Sequence, residues 1–261
     1  PEDFRPPRGD YAVRLKGRSW HPWASMGKDL PEAEFGIMTR EGMCLAVVPL
    51  DFGSVEPDLD AATSGLLSAL DMTFPSEELS LEDQRANGGI EERRFSATRE
   101  VGGKPYRYIL RVIRNGSRCF LAASWSREPV AEDVLRDLVQ LVEVEARPPD
   151  RVLIDTRPQF NMATMFNQAG LSFFRRGEFL SAGQLFERAA ALAPHDPVFA
   201  ENVVAAMKER GALSEAARAV GAHLSRFPRR YEGLILRAEV LAKGGDAAAA
   251  IDAYRAALEV G

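Results

Sequence analysis

The 261-residue sequence contains only two cysteines and three histidines, too few for most metal and thiol chemistry. His21, His195 and His223 lie far apart, and no pair of them has the spacing of a zinc site. Cys44 and Cys119 lie in apolar runs without a catalytic motif, so we expect buried free thiols. Whether they form a disulfide stays open, because a disulfide needs adjacent strands and an oxidising compartment. We predict no metal site and no cofactor.

The sequence also lacks an apolar run of the roughly 20 residues that cross a bilayer, and it lacks a clustered basic face. Residues 1–150 carry 19 Lys and Arg against 26 Asp and Glu, and the net charge of the whole sequence is −5. The arginine pairs are scattered over different predicted elements. We therefore expect no membrane span in this sequence and no nucleic-acid partner.

Motifs of catalysis are missing as well. Ser64-Gly65 lacks the glycine framing of a nucleophile elbow, and Gly102-Gly103-Lys104 is a turn followed by proline rather than a phosphate-binding loop. The carboxylate pairs lie in turns or at strand starts, as solvated surface residues do. We therefore predict that this chain is not an enzyme. The compartment is undetermined, although thiols without motifs favour the cytoplasm slightly.

Residues 163–261 contain a period of 34 residues. Four sets of matched positions share this period: glycine at Gly177, Gly211 and Gly245, alanine at Ala182, Ala216 and Ala250, proline at Pro194 and Pro228, and a large apolar residue at Phe186, Val220 and Tyr254. A fixed period of this size is typical of stacked helix–turn–helix units. Such arrays expose a long concave surface that binds other proteins.

The pattern resembles the tetratricopeptide (TPR) repeat family, most closely in the first and third units. The matching residues are Phe166, Gly170, Phe173, Gly177, Glu178, Phe179, Ala182, Phe186, Ala189 and Pro194 in the first unit, and Ala238, Gly245, Asp246, Ala250, Ile251, Tyr254, Ala257 and Leu258 in the third. The middle unit is weaker, because Val204 and His223 replace small residues. The resemblance implies three TPR-like repeats, at 163–196, 197–230 and 231–261.

In arrays of this family the first helix of each unit lines the concave face, so the resemblance implies a binding groove there. The candidate partner-binding residues of that groove are Asn167, Gln168, Arg175, Asn202 and Lys208. Helix packing does not require their residue types, so we expect them to contact a protein or a peptide. One subclass of the family grips the carboxylate of chaperone tails with Lys, Asn and Arg, and only Asn202 matches that set. Chaperone-tail binding is therefore not expected.

Residues 1–147 show strand and helix patterns instead. The strand signals lie at 11–15, 35–37, 43–50, 89–101, 106–113 and 118–125, with hairpin turns at Gly102-Gly103 and Asn115-Gly116. One helix is predicted from Leu59 to Phe74, capped by Asp58 or Asp60, and a second helix from Pro129 to Val142.

The order of these elements predicts an antiparallel-sheet α/β sandwich followed by an all-α helical-hairpin array, and thus the α+β class. The sandwich resembles the PsbP/Mog-type fold, and another α+β sandwich stays open. Most members of that family are thought to be binding or assembly factors without catalysis. Pro148-Pro149 interrupts both patterns and predicts a linker over 148–162.

Trp20-His21-Pro22-Trp23 is an unusual aromatic cluster. Trp20 and Trp23 could form an aromatic clamp for a partner, where tryptophan is enriched. Alternatively, they cap one end of the sheet, with their indole N–H groups bonded to loop carbonyls. Both interpretations stay open at this stage.

Taken together, these patterns predict a non-catalytic protein–protein interaction or assembly module. The sequence begins without Met and stops just before the place of a third proline in the repeat series, and its basic residues are mostly Arg. These features suggest a piece of a larger bacterial protein. The alternative is a regulatory segment of an enzyme whose catalytic domain lies outside this chain.

Overall fold

The computed structural model divides into two compact units, Pro1–Asn161 and Met162–Gly261. It describes residues 3–6, 10–15, 19–22, 30, 32–70, 79–127, 129–144 and 159–260. An antiparallel sheet dominates the first unit and a run of helices forms the second, so the predicted α+β class is confirmed.

The described strands of the N-terminal unit form one large sheet and one small ribbon. In chain order they are β1 (Tyr11–Val13), β2 (His21–Pro22), β3 (Phe35–Met38), β4 (Cys44–Asp51), β5 (Ser80–Asn87), β6 (Ile90–Val101), β7 (Lys104–Asn115), β8 (Arg118–Arg127) and β9 (Val142–Val144). Strands β2 to β8 form a seven-stranded antiparallel sheet with the order β2-β3-β4-β8-β7-β6-β5. β1 pairs with β9. β4 lies inside the sheet and is buried on both faces, as its continuous apolar run predicts.

Helix α1 (Leu59–Leu67) packs against β4, β7 and β8. Asp58 caps the helix, because its carboxylate accepts a 2.8 Å hydrogen bond from the backbone N–H of Ala61. The sequence pattern extended this helix to Phe74, but it ends at Leu67 and continues as a 3-10 turn. The Ser68 hydroxyl there donates to the carbonyl of Gly65, a local bond that competes with helix continuation. Residues 71–78 lie outside the described part of the chain.

Helix α2 (Glu132–Gln140) and the β1–β9 ribbon cover the face of the sheet opposite to α1. The main core cluster consists of Tyr11, Val13, Leu15, Phe35, Ile37, Leu45, Val47, Ile109, Ile113, Phe120, Ala122, Leu135, Leu138, Val139 and Val142. Neighbouring residues of β6 point to opposite faces. Accordingly, Arg93 binds Asp60 of α1, whereas Glu92 binds Arg111, which donates to the Val139 carbonyl of α2.

The predicted extent of α2 was wrong at both ends. The helix begins at Glu132 rather than at Pro129 and ends at Gln140, and Val142 lies in β9 opposite Val13. Val142 has the apolar character of the helix stripe. Its strand pairing depends on a partner near the start of the chain, which a local pattern does not reveal.

The strands β5 to β8 form an antiparallel meander, and its first strand, β5, was not predicted from the sequence. The side chains of Ser80–Asn87 are mostly exposed on both faces. The strand therefore shows no alternation of apolar and polar residues, which is the usual signal of a half-buried strand. The two predicted hairpin turns, at Gly102-Gly103 and Asn115-Gly116, are confirmed by the pairing of β6, β7 and β8.

Both thiols are free and buried, and they lie on the adjacent strands β4 and β8. Cys44 faces Trp125, whereas Cys119 faces Leu50, six ladder positions away. That offset corresponds to about 20 Å along a strand. Disulfide bonds need Cα atoms within about 7 Å, so this fold excludes a bond between them.

Thiol reagents are expected to leave the native protein unmodified at pH 8. Burial raises the pKa of Cys44 to about 11 and that of Cys119 still further. The thiolate fraction, and with it the reaction rate, falls by about two orders of magnitude or more. Titration with a chromogenic disulfide should detect both thiols of the chain only after denaturant is added. Fast release of one equivalent from the native protein would contradict this burial.

The helices of the C-terminal unit form three successive hairpins. They are α3 (Gln159–Arg175), α4 (Phe179–Leu192), α5 (Pro197–Glu209), α6 (Leu213–Arg226), α7 (Tyr231–Lys243) and α8 (Ala247–Leu258). The hairpins fall within the predicted repeats, except that α3 begins at Gln159, inside the segment assigned to the linker. Among the described residues, no helix is long and apolar enough to cross a membrane.

The same capping geometry closes the first helix of each hairpin. Gly177, Gly211 and Gly245 have φ values of 79°, 83° and 86°, a left-handed conformation that favours glycine. In each case the next residue donates its N–H to a carbonyl five residues earlier, as from Ala212 to Met207 at 2.9 Å. The 34-residue spacing of these glycines is therefore the spacing of the turns.

Small residues allow the paired helices to approach closely. Ala182, Ala216 and Ala250 are buried in the second helices of the three hairpins. Gly170 of α3 lies directly against the ring of Phe186 in α4. The matched small and large positions of the sequence pattern therefore contact each other in this hairpin.

Candidate functional site

Neighbouring first helices of the array are joined by hydrogen bonds between side chains. The Asn202 amide of α5 donates a 2.7 Å bond to the Asn167 carbonyl oxygen of α3. Asn167 is only 6% exposed. These two candidate binding residues are thus close together, but they bond each other, and one of them is buried.

Lys208 of α5 makes a similar connection to α7. Its ammonium group lies 2.5 Å from a Glu239 carboxylate oxygen and 3.1 Å from Glu209. Burial alone would lower the pKa of Lys208, but the bonds to Glu239 and Glu209 outweigh it and raise that pKa above its ordinary value. Lys208 therefore stays charged and holds two first helices together.

The remaining groove candidates both lie on α3. Arg175 is exposed, and its Nε donates to the Leu171 carbonyl of the same helix at 3.1 Å. Gln168 is half-buried. Of the groove residues predicted from the sequence, Arg175 is thus the one whose side chain is exposed to solvent. Its guanidinium group retains donors for a partner.

A buried polar cluster lies between α5, α6 and the start of α7. The Glu201 carboxylate lies 3.1 Å from His223 Nε2 and 2.8 Å from Arg230 Nε. His223 Nδ1 is buried and has no hydrogen-bond partner among the described residues. A methyl group on Gly233 would come within 2.9 Å of His223 Nε2, so the ring needs a glycine there. The cluster fixes the middle hairpin against the third.

An apolar pocket of about 280 Å³ opens between α4, α5 and α6. It is lined by Glu187, Ala190, Ala200, Val203, Val204, Ala219, Ala222, His223, Arg226 and Phe227. Its size is slightly below that of typical small-ligand pockets and accommodates one large side chain. No sequence pattern predicted this pocket, because its alanines resemble ordinary helix-packing residues. The number of alanines on the second helices was the one sequence feature that could have indicated the pocket.

The aromatic cluster of the N-terminal unit is only partly described. Trp20 packs against the main core, and its indole N–H donates to the Leu15 carbonyl at 3.2 Å. This geometry agrees with the capping interpretation for Trp20. Trp23 lies outside the described residues, so the predicted clamp stays a prediction. In the described part of the chain, no three His, Cys, Asp or Glu side chains are grouped as metal ligands.

Comparison with known proteins adds little to this geometry. No protein-family model matches the chain, and no curated protein matches it significantly. A solved structure from Bacteroides thetaiotaomicron is similar over 86% of this chain and 78% of its own, with 13% identity and a TM-score of 0.39. LpqN of Mycobacterium tuberculosis, described as involved in cell envelope biogenesis, is similar over 55% of this chain and 82% of its own, with 11% identity and a TM-score of 0.31. Similarities this weak carry no argument about function.

Proposed function

We propose that this chain is a non-catalytic protein-interaction or assembly module. Its helical array is of the TPR type, and its N-terminal unit is a PsbP/Mog-like sandwich. The observation that carries the proposal is the repetition of one hairpin three times, with the same left-handed glycine cap at a spacing of 34 residues. Arrays of this kind present extended surfaces that recognise other proteins.

The partner that fits best is a peptide or helix of another protein with an apolar anchor residue. The pocket between α4, α5 and α6 takes one large apolar side chain, and Glu187 and Arg226 bring charge to its lining. Central apolar pockets with a polar surround commonly hold the residues that dominate binding energy. The second proposed surface is the face formed by the first helices of the hairpins, α3, α5 and α7, which we call the first-helix face. Arg175 and Gln168 are the proposed contacts on it. Asn167, Asn202 and Lys208 support them by joining the helices.

Filling the pocket is expected to abolish partner capture without unfolding the array. Ala222→Phe places a ring at the exposed pocket wall, and Ala217→Phe places the same ring on an exposed position of α6 outside the pocket. Proteins captured from a lysate of the source organism are quantified by mass spectrometry for each variant. We expect the Ala222→Phe variant to capture at least tenfold less of a partner protein that the Ala217→Phe control still captures.

The first-helix face is tested separately with Arg175→Glu combined with Gln168→Ala. Asn202→Ala is unsuitable for this purpose, because it would leave the buried Asn167 without its bond and change stability as well as binding. Loss of the partner in this variant alone would place the contact on the first-helix face. Equal recovery by all variants, or no specific partner for the wild type, would overturn the proposal.

A further inference from the structure

One corner of the large sheet carries an aromatic shelf, formed by Tyr106 and Tyr108 of β7 and Trp125 of β8 on the face that carries α1. Tyr108 and Trp125 stand opposite each other in the ladder. Their ring centroids are 6.2 Å apart, and the rings are nearly parallel, with an interplanar angle of 22°. Tyr106 and Trp125 are half-buried. The shelf therefore presents partly exposed aromatic surface.

Two arginines flank this aromatic shelf. Tyr106 pairs with Arg99 of β6 on one side and with Arg127 of β8 on the other, so the three side chains share one row and one face. Arg99 Nη1 is buried and has no hydrogen-bond partner among the described residues. Buried donors are almost always satisfied, so this group calls for an acceptor.

Other arginines of the same strands have their acceptors in place. Arg111 binds Glu92, and Arg114 binds Glu91, each across the β6–β7 pair. For Arg99, by contrast, the directly opposite residue on β7 is Tyr106, and the diagonal neighbours are Lys104 and Tyr108, so no carboxylate stands across this strand pair from it. The missing acceptor is therefore a feature of this row and not of the strand pair as a whole.

Tyr108 does not supply the missing negative charge. Burial raises the pKa of Tyr108 to about 12, while the nearby positive charge of Arg99 opposes this rise. The phenol thus remains neutral at physiological pH. Arg99 and Tyr108 are diagonal neighbours on the same face of the β6–β7 pair, so Arg99 stands next to the shelf.

We propose that this corner of the sheet binds an aromatic ligand that carries a carboxylate or phosphate group. The anionic group accepts from Arg99, whose planar fork matches the oxygens of both anions. The planar part of the ligand lies on Tyr106 and Trp125. This site is separate from the helical array and does not depend on the function proposed for it.

Phenylacetate and phenyl phosphate serve as probes, with phenylacetamide as the neutral control. Binding to the full chain is followed by tryptophan fluorescence and by aromatic NMR signals. We expect at least one anion to bind saturably with a millimolar Kd and the amide to bind at least tenfold more weakly. Equal binding of the amide, or no saturable binding below 50 mM, would overturn the proposal.

Substitutions then locate the site. Arg99→Gln should weaken binding at least tenfold, Arg99→Lys should weaken it less, and Arg118→Gln, at the other end of β8, should leave it unchanged. Circular dichroism confirms that each variant is folded. An equal loss of binding in the Arg118→Gln and Arg99→Gln variants would show that positive charge attracts the anions unspecifically. That result would exclude the site.

A second arm distinguishes the source of the ligand. The tripeptide Ala-Ala-Phe, with a free carboxylate, is compared with its C-terminal amide and with phenylacetate. Tighter binding of the free peptide indicates the C-terminus of a partner protein, whereas tighter binding of phenylacetate indicates a small aromatic acid. Either result supports the site, provided that Arg99→Gln removes it.

Discussion

Replacement of Glu201 by alanine is expected to lower the free energy of unfolding of the helical array by about 2–4 kcal/mol. The carboxylate is buried and binds both His223 Nε2 and the guanidinium of Arg230. Its removal leaves the buried ring without a partner on either nitrogen. Arg230 is 32% exposed and regains water, so the loss stays below that of a fully buried ion pair.

Glu232 offers the matched control for this substitution. Its carboxylate binds the same arginine at 3.1 Å, but it is 54% exposed. Glu232→Ala should therefore cost less than about 0.5 kcal/mol. Glu201→Gln keeps an acceptor for the ring and should fall between the two. Urea unfolding followed by circular dichroism at 222 nm measures all three, and equal loss in the two alanine variants would contradict the role of the cluster.

The sequence predicted the array well because its determinants are local. A left-handed turn needs glycine at a fixed place, and Gly177, Gly211 and Gly245 occupy that place in each hairpin. The large position at Phe186 likewise meets the small position at Gly170 within one hairpin. Such contacts recur with the period of the chain, so one sequence reveals them.

The side chains of the candidate site could not be assigned in the same way. Asn167 and Asn202 belong to different hairpins, and their bond depends on the angle between neighbouring first helices. His223 was recognised as a departure from the small residue of the pattern. Its partner Glu201, however, lies on another helix and has no sequence signal of its own. Composition identifies polar residues on a face but not which of them bond each other.

The sheet shows the same limit. The apolar run of β4 and the two hairpin turns were predictable from their own residues, whereas the polar edge strand β5 was not. The pairing of β1 with β9 joins two segments that are far apart in the sequence of the N-terminal unit, and the residues near Val142 contain no pattern that predicts it. Long-range pairing decides such elements, and propensity has little influence there.

Gly170→Ala is the second substitution with a large expected effect, a loss of about 1–3 kcal/mol. The new methyl group would lie 2.6 Å from Cε1 and 2.8 Å from Cδ1 of Phe186, far inside van der Waals contact. That ring is only 1% exposed, and the Phe174 ring packs near it with a centroid distance of 6.2 Å. The ring is rigid and enclosed, so α3 and α4 must move apart to admit the methyl group.

The sign of this effect is opposite to that of helix propensity, which makes the test decisive. Alanine is favoured over glycine inside a helix by about 1 kcal/mol. Gly221 of α6 provides the control, because a methyl group there meets nothing within 4 Å. Gly221→Ala should therefore raise the midpoint of thermal unfolding, and Gly170→Ala should lower it.

A double-mutant cycle separates the clash from other causes. Phe186→Leu removes the ring, so Gly170→Ala should cost clearly less in that background than in the wild type, by about 1 kcal/mol or more. Additive losses would mean that Gly170 acts elsewhere than on Phe186. If instead Gly170→Ala stabilised the protein as Gly221→Ala does, α3 and α4 could not approach as closely as this hairpin requires. The small-to-large pairing inferred from the repeat would then be wrong in the unit where it is clearest.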